Sequence, residues 1–277
     1  MRAAIRIENL NFAYKSAAIL TNVNLEVPRR GVTVLLGPNG CGKTTLLRCA
    51  CRSLPPDSGQ IFINDRPAAS FRGREMARSL AFVRQSPVFP PGITAAAYVA
   101  LGRYPWLSWT GFYSKKDWDI VDSVLTDLKI VHFGRRSLNS LSGGERQTVA
   151  LAQALAQIYG AAEPVLLLDE PTSAMDWRRA LSISRYLAKR RDLTILMSMH
   201  DANLAALFAT RIAGLKRGEI IFYGDPANVI TPENLSRLYD LDFSVYNHPD
   251  NGLPQLFPRL VAQNRGPGRY RLCPDPG

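Results

Sequence analysis

The chain has 277 residues, of which 46% are hydrophobic and 21% charged, with a formal net charge of +11. The composition is that of a globular protein and the length fits one large α/β domain or two small ones. No apolar run approaches the roughly 18 residues that span a bilayer, the first residues contain no secretory leader, and the basic residues are scattered, so we expect a cytoplasmic chain that does not cross a membrane by itself.

Strands dominate the first predicted elements. Alternating or continuous apolar residues predict strands, and a helix is predicted between two of them. The run VTVLLG at 32–37 is apolar throughout, which is typical of a central strand buried on both faces. The predicted strands lie at 5–12, 23–28, 32–37, 55–65 and 79–85, with the helix at 43–54.

The pattern changes after the strand at 79–85. Residues 86–157 have helical spacing and no convincing strand, so we expect a helical subdomain inserted in the α/β core. Strands return at 164–170 and 192–200, with a helix between them. A short helix or two and a loose Pro/Gly-rich tail at 267–277 are expected in a C-terminal extension, 224–277. The whole chain, 1–277, is then one domain.

A glycine-rich loop follows the strand at 32–37. The sequence GPNGCGKT matches the phosphate-loop pattern G-x-x-x-x-G-K-[ST] and lies between a buried strand and a helix, the context that this motif requires. Backbone N–H groups of such a loop face phosphate oxygens, the lysine adds a positive charge, and the threonine hydroxyl binds Mg²⁺. The candidate nucleotide-binding residues are Gly37, Pro38, Asn39, Gly40, Cys41, Gly42, Lys43, Thr44 and Thr45.

Two carboxylates, Asp169 and Glu170, end the apolar strand VLLLDE. Strand ends of open α/β sheets face the ligand crevice. We expect Asp169 to hold Mg²⁺, directly or through water. Glu170, one residue further on, is the candidate general base for the attacking water.

A second pair of glycines occurs in LSGGERQ, residues 141–147. Ser142, Gly143 and Gly144 precede an apolar helix, so their N–H groups form a second candidate anion site at a helix N-terminus. Ser142 and Glu145 also fit an ordinary capping box. Both interpretations are compatible.

Together the motifs GPNGCGKTT, LSGGERQ and VLLLDEPTSAMD identify a family resemblance. The chain resembles ATP-binding cassette (ABC) ATPases over roughly residues 5 to 225. The resemblance implies a P-loop ATPase fold of the α/β class, with a mixed sheet, an antiparallel N-terminal β part and an inserted helical subdomain. It also implies ATP and Mg²⁺ as ligands, and a head-to-tail dimer in which Ser142, Gly143, Gly144 and Glu145 cap the partner's ATP.

Four further positions carry over from the family one at a time. Tyr14 matches the aromatic residue that stacks on adenine, although a strand-edge aromatic is the alternative. Gln85 matches the glutamine that senses Mg²⁺ and the attacking water, and His200 matches the histidine that contacts the γ-phosphate. Asp176 matches the loop that crosses the dimer interface. With Glu170 present as well, an active ATPase is implied.

The segment VALGRYP, 99–105, resembles the ATPases of importers for ferric siderophores, haem and cobalamin. That resemblance implies polytopic membrane permease subunits, which the helical subdomain would receive, and indirectly a soluble substrate-binding protein. The location implied is the cytoplasmic face of the inner membrane. Trp106 stands where that group often has histidine.

Two other functions stay open. One is a soluble ATP-driven switch acting on nucleic acid or a protein assembly, which the net charge of +11 mildly favours, although no nucleic-acid partner is expected. The other is an importer ATPase with a different metal or oxyanion cargo. The cysteines, Cys41, Cys49, Cys51 and Cys273, match no zinc pattern and are interpreted as free thiols; a redox role for Cys41 is the weaker alternative.

Overall fold

The computed structural model describes residues 3–109 and 111–259. These residues form three sheets surrounded by helices. The strands are β1 Ala3–Tyr14, β2 Ala17–Pro28, β3 Val32–Leu36, β4 Ser58–Ile63, β5 Arg66–Pro67, β6 Leu80–Val83, β7 Val165–Asp169, β8 Thr194–Ser198, β9 Arg211–Lys216, β10 Glu219–Gly224, β11 Phe243–Asn247 and β12 Pro254–Pro258.

The helices lie between the strands of the central sheet and after its last strand. Across the two described ranges, none is long and apolar enough to cross a bilayer. The α-helices are α1 Lys43–Ala50, α2 Gly73–Ser79, α3 Ala95–Ala100, α4 Lys115–Asp127, α5 Gly143–Ile158, α6 Trp177–Lys189, α7 Ala202–Phe208, α8 Pro226–Val229 and α9 Pro232–Tyr239. Short 3-10 helices lie at Ala68–Ser70, Leu101–Trp106, Val131–Phe133 and Leu138–Ser140.

The central sheet is mixed, with the strand order β10-β9-β3-β8-β7-β6. Five strands run parallel and β10 pairs antiparallel with β9. The continuous apolar runs of β3, β7 and β8 are explained by burial on both faces: Val34 and Leu36 belong to one hydrophobic core, and Leu35 to the other. Every residue of these three strands is buried.

A four-stranded antiparallel sheet, in the order β2-β1-β4-β5, covers one face of the central sheet. Its alternating residues, such as Ile5 and Ile7, share a core with α1 and with Leu35 of β3. The sequence alternation predicted the strands of this sheet because one of its faces is buried and the other is solvated.

Between β6 and β7, the described part of the chain contains helices and no strand. Helix α5 is the buried axis of this segment and packs against α3, α4 and the 3-10 helix Leu101–Trp106. Gly102 fits closely there, since a Cβ at this position would lie 2.3 Å from the Gln153 carbonyl oxygen. The Arg103 guanidinium, 3.1 Å from the Asp117 carboxylate, donates to the Ala156 carbonyl, and the Trp106 indole donates to the Gln157 carbonyl.

The sequence analysis was wrong in two places. The helix that begins at Lys43 ends at Ala50, because Cys51 is its C-cap and Arg52 has a left-handed φ of 60°. The region after residue 224 holds, besides α8 and α9, an antiparallel hairpin of β11 and β12 that the composition did not predict. Asn203 of α7 exchanges two hydrogen bonds with the backbone of Leu256 and so holds the hairpin. The predicted tail at 267–277, with Cys273, lies outside the described residues.

Candidate functional site

The phosphate loop connects β3 to α1. Gly42 caps the helix with a φ of 110°, which side chains other than hydrogen disfavour. The Lys43 ammonium is buried and donates to the carbonyl oxygens of Gly37 and Pro38, at 2.8 and 3.0 Å. The loop is therefore curled around its own lysine, with the α1 N-terminus at its end.

A cleft of about 520 Å³ opens over this loop. It brings together residues that lie far apart in the sequence, from the antiparallel sheet, the phosphate loop and the ends of central strands. The residues that line it are Tyr14, Ile19, Asn39, Gly40, Cys41, Gly42, Lys43, Thr44, Thr45, Gln85, Glu170 and His200. Gly37 and Pro38 lie behind this lining, where they accept hydrogen bonds from Lys43.

Asp169 lies at the end of β7 and is buried. One carboxylate oxygen accepts a hydrogen bond from the Thr44 hydroxyl at 2.8 Å, and the other accepts from the Ser198 hydroxyl, also at 2.8 Å. The parallel register places Asp169 directly beside Ser198. The first turn of α1 and the ends of two neighbouring strands therefore meet at one carboxylate.

Glu170 begins the loop after β7 with a φ of 47°, a left-handed conformation that residues other than glycine seldom adopt. Its N–H donates to the Ser198 hydroxyl at 2.9 Å. Its side chain, 10% exposed, accepts from the Gln85 amide at 2.6 Å and pairs with the His200 imidazole. The structure thus brings both Gln85 and His200 into contact with Glu170, and all three predicted catalytic residues line the cleft.

The donor set beside Lys43 fits a magnesium ion. Thr44, Asp169 and Gln85 carry hydroxyl, carboxylate and amide oxygens, which Mg²⁺ prefers as ligands. In the described ranges no group of three or more His, Cys, Asp or Glu residues could hold a metal. Mg²⁺ is usually held by one or two protein carboxylates and completes its coordination with phosphate and water.

The second glycine pair lies at the start of α5. Ser142 is the N-cap: its N–H donates to the Glu145 carboxylate at 2.7 Å and its hydroxyl accepts from the Glu145 N–H at 3.3 Å, so the predicted capping box is present. The hydrogen bond from the Ser142 N–H is the main cause that lowers the pKa of Glu145. Ser142 and Gly143 are exposed. None of residues 142–145 lines the cleft over the chain's own phosphate loop.

Asp176 and Tyr14 are the remaining predicted site residues. Asp176 is exposed and caps α6 by accepting from the Arg179 N–H at 2.9 Å. The loop before it packs on the second glycine pair, because a Cβ on Gly144 would lie 2.9 Å from the Ala174 carbonyl oxygen. Tyr14, at the end of β1, is 44% exposed and contacts the ring of Phe12 edge-on. It lines the cleft and is free on its outer face.

Sequence reasoning missed two residues at this site. Ser198, on the neighbouring strand, links Asp169 to Glu170. The sequence does indicate this position, because Ser198 ends an apolar strand two residues before His200. Ile19 lines the cleft from β2, and a single aliphatic residue in an alternating strand carries no signal of such a position.

The comparison with known families agrees with this geometry. The model of the ABC transporter family matches residues 20–173, more than half of the chain. The chain belongs to the ABC transporter family, and its cassette is that of an ATPase.

Curated relatives match over almost the whole chain. The chain is 35% identical to "Probable siderophore transport system ATP-binding protein YusV" of Bacillus subtilis (strain 168), over 92% of this chain and 93% of that protein. It is 36% identical to the hemin import ATP-binding protein HmuV of Shewanella denitrificans, over 91% and 99% of the two chains.

Solved structures of ABC proteins share the fold. A metal-chelate type ABC transporter in an inward-facing conformation matches with a TM-score of 0.78 and 26% identity, over 93% of this chain and 98% of that chain. The dimeric ATP-binding cassette MJ0796 in a post-hydrolysis state, bound to ADP and Pi, matches with a TM-score of 0.69 and 28% identity, over 80% and 98%. Cassettes of this fold therefore form dimers.

Proposed function

We propose that the chain is the ATP-hydrolysing subunit of a bacterial ABC importer that takes up a ferric siderophore, with haem or cobalamin as the other cargoes of the same group. One observation carries the ATPase part: Gln85 and His200 both contact Glu170 beside the phosphate loop. The cargo class is supported by the relatives, which are ATP-binding proteins for siderophore and hemin transport.

Each residue of the cleft has a role that its surroundings support. The phosphate-loop N–H groups and Lys43 bind the ATP phosphates, and Tyr14 stacks on the adenine. Thr44, Asp169 and Gln85 hold Mg²⁺, which neutralises phosphate charge when it is bound. Glu170, fixed by Gln85 and Ser198, orients and deprotonates the attacking water.

A second copy of the chain completes the site. Exposed Ser142 and Gly143, with Gly144 and Glu145, offer N–H groups at the α5 N-terminus and do not line their own chain's cleft. A head-to-tail pair would place this terminus over the partner's ATP, where its positive end favours phosphate. Asp176 stands beside it and would cross the same interface. ATP then holds the two copies together, and hydrolysis releases them.

The permease partner is proposed to dock on the helical segment between β6 and β7. Several large apolar side chains of this segment are exposed and available to an apolar partner surface. They are Val88, Leu101, Tyr104, Trp109, Phe112 and Trp118. A polytopic membrane subunit there would hold the chain at the cytoplasmic face of the inner membrane, with a soluble substrate-binding protein acting on the far side.

The experiment uses Glu170→Gln, tagged in the native host, because this change keeps the size of the side chain and removes its charge. With ATP present, the variant is expected to accumulate as a closed dimer and to co-purify from mild detergent with a multi-helix membrane protein. The matched control is Glu219→Gln, which changes an exposed residue of β10 and is expected to behave as the unmodified chain does. Recovery of soluble proteins or nucleic acid alone would overturn the transport assignment.

A further inference from the structure

The backbone that carries Gln85 leaves the central sheet just before this residue. Val83 is the last residue of β6 that pairs with β7. Arg84 and Gln85 follow it, are exposed and belong to no helix or strand. The sheet therefore does not fix the direction in which Gln85 leaves the strand, and that direction depends on contacts from outside the sheet.

Helix α5 supplies such a contact through Gln147. This residue is only 3% exposed, and its side-chain amide donates to the Arg84 carbonyl oxygen at 3.2 Å. Helix α5 packs against β6, so a buried donor on the helix meets the end of the strand. A buried amide N–H without an acceptor costs free energy, which favours this pairing over a free side chain.

The hydrogen bond reaches Gln85 through one peptide group. The Arg84 carbonyl and the Gln85 nitrogen belong to the same planar unit, which extends to the Gln85 Cα. Holding the oxygen of that unit holds its plane, and the plane sets the direction in which the Gln85 side chain starts. The Gln85 amide in turn donates to the Glu170 carboxylate at 2.6 Å, and both side chains line the cleft. A hydrogen bond outside the cleft thus lies directly behind one inside it.

Gln147 lies close to the second glycine pair on the same helix. Ser142 caps α5, Gly143 is the first helical residue, and Gln147 lies in the second turn. Ser142 and Gly143 are exposed, whereas Gln147 is buried and does not line the cleft. One end of α5 therefore carries both an exposed candidate anion site and a buried contact to the segment of Gln85.

We propose that Gln147 is a positioning residue for ATP hydrolysis: its amide holds the Arg84 carbonyl and so directs Gln85 towards Glu170. The inference rests on the proposed function. It gives the segment 141–147 two tasks in a dimer. The exposed N–H groups of the segment serve the partner's nucleotide, and Gln147 serves the nucleotide of its own chain.

The test compares two glutamine-to-methionine variants of α5, because methionine has a similar length and no amide. Gln147→Met is expected to lower kcat for MgATP hydrolysis about five- to tenfold, the effect of one hydrogen bond. The KM for MgATP should change by less than about twofold, since Gln147 does not line the cleft.

Gln157→Met is the matched control on the same helix. The Gln157 amide donates to the backbone carbonyls of Ala77 at 2.8 Å and Leu80 at 3.0 Å, at the opposite end of β6 from Gln85. Both variants lose a glutamine that bonds to backbone, so both are expected to lower the Tm. Gln157→Met is expected to leave kcat unchanged.

Gln85→Ala distinguishes an effect that passes through Gln85 from an independent one. If Gln147 acts by positioning Gln85, the double variant Gln85→Ala/Gln147→Met has the kcat of Gln85→Ala alone. Losses that multiply in the double variant would overturn the inference, as would an unchanged kcat in Gln147→Met or an equal loss in Gln157→Met. If Gln147→Met does not fold, Gln147→Asn, whose side chain is one methylene shorter, takes its place in the same comparison.

Failure of the proposed function would give different results. Absence of MgATP hydrolysis by the unmodified chain would overturn the ATPase assignment. A normal kcat in Gln85→Ala would overturn the role of Gln85, and the inference would fall with either result.

Discussion

Ser198→Ala is the change whose cost follows most directly from the structure. The Ser198 hydroxyl is completely buried, donates to Asp169 at 2.8 Å and accepts from the Glu170 N–H at 2.9 Å. Alanine leaves a buried carboxylate with one donor fewer and a buried N–H without an acceptor. A hydrogen bond to a charged group and one between neutral groups together contribute about 2 to 4 kcal/mol to the free energy of unfolding.

For a chain of this size, that loss corresponds to a fall in Tm of about 3 to 7 °C. The fall in Tm is measured by thermal unfolding without nucleotide. MgATP hydrolysis by the same variant is expected to be slower, because Glu170 loses the hydrogen bond that fixes its left-handed backbone. Thr33→Val is the matched control: the Thr33 hydroxyl is buried on the neighbouring strand β3 and has no partner in the described part of the chain. If the Tm of Ser198→Ala falls no further than the Tm of Thr33→Val, the reasoning is refuted.

Three further outcomes are expected. Glu170→Gln should lower kcat for ATP hydrolysis by about 100-fold or more while nucleotide titration still shows binding, because only the general base is lost. Gly144→Ala should destabilise the isolated subunit by about 1 to 3 kcal/mol in thermal unfolding, since the new Cβ meets backbone at 2.9 Å; Gly143→Ala, with its nearest contact at 3.7 Å, should be close to neutral. Burial raises the pKa of Asp117, but hydrogen bonds from Ser114 and Arg103 outweigh it and hold the pKa below the usual 3.8. The carboxylate therefore contributes stability above pH 3.8 that is lost as the pH falls through the lowered pKa. In Asp117→Asn, the Tm measured as a function of pH should accordingly decrease less steeply at acid pH than in the unmodified chain.

The central sheet was predictable because its strands have no solvated face. Runs such as 32–37 and 164–168 are apolar apart from Thr33, and both sides of the sheet are covered, so the sequence signal is independent of register. The phosphate loop was predictable for another reason: its function depends on backbone geometry that few residue patterns allow.

Features that depend on pairing between distant segments were not predictable to the same degree. The hairpin of β11 and β12 has strands of only five residues each and is held by Asn203, a polar residue more than 50 positions from its partner Leu256. The contact of Ser198 with Asp169 requires the register of β7 against β8, which the order of the residues does not specify.

Helix α5 connects the second glycine pair, at its N-terminus, to the contacts of Arg103 and Trp106 at its C-terminus. Its 16 residues correspond to a length of about 24 Å. The exposed Ser142 stands at one end, while Arg103 and Trp106 hold the carbonyls of the other. Because the helix is buried along much of its length and clamped at its C-terminal end, we expect it to tilt as one rigid body. A tilt of about 10° would shift one end relative to the other by about 4 Å, comparable to the one-turn steps by which packed helices switch between arrangements.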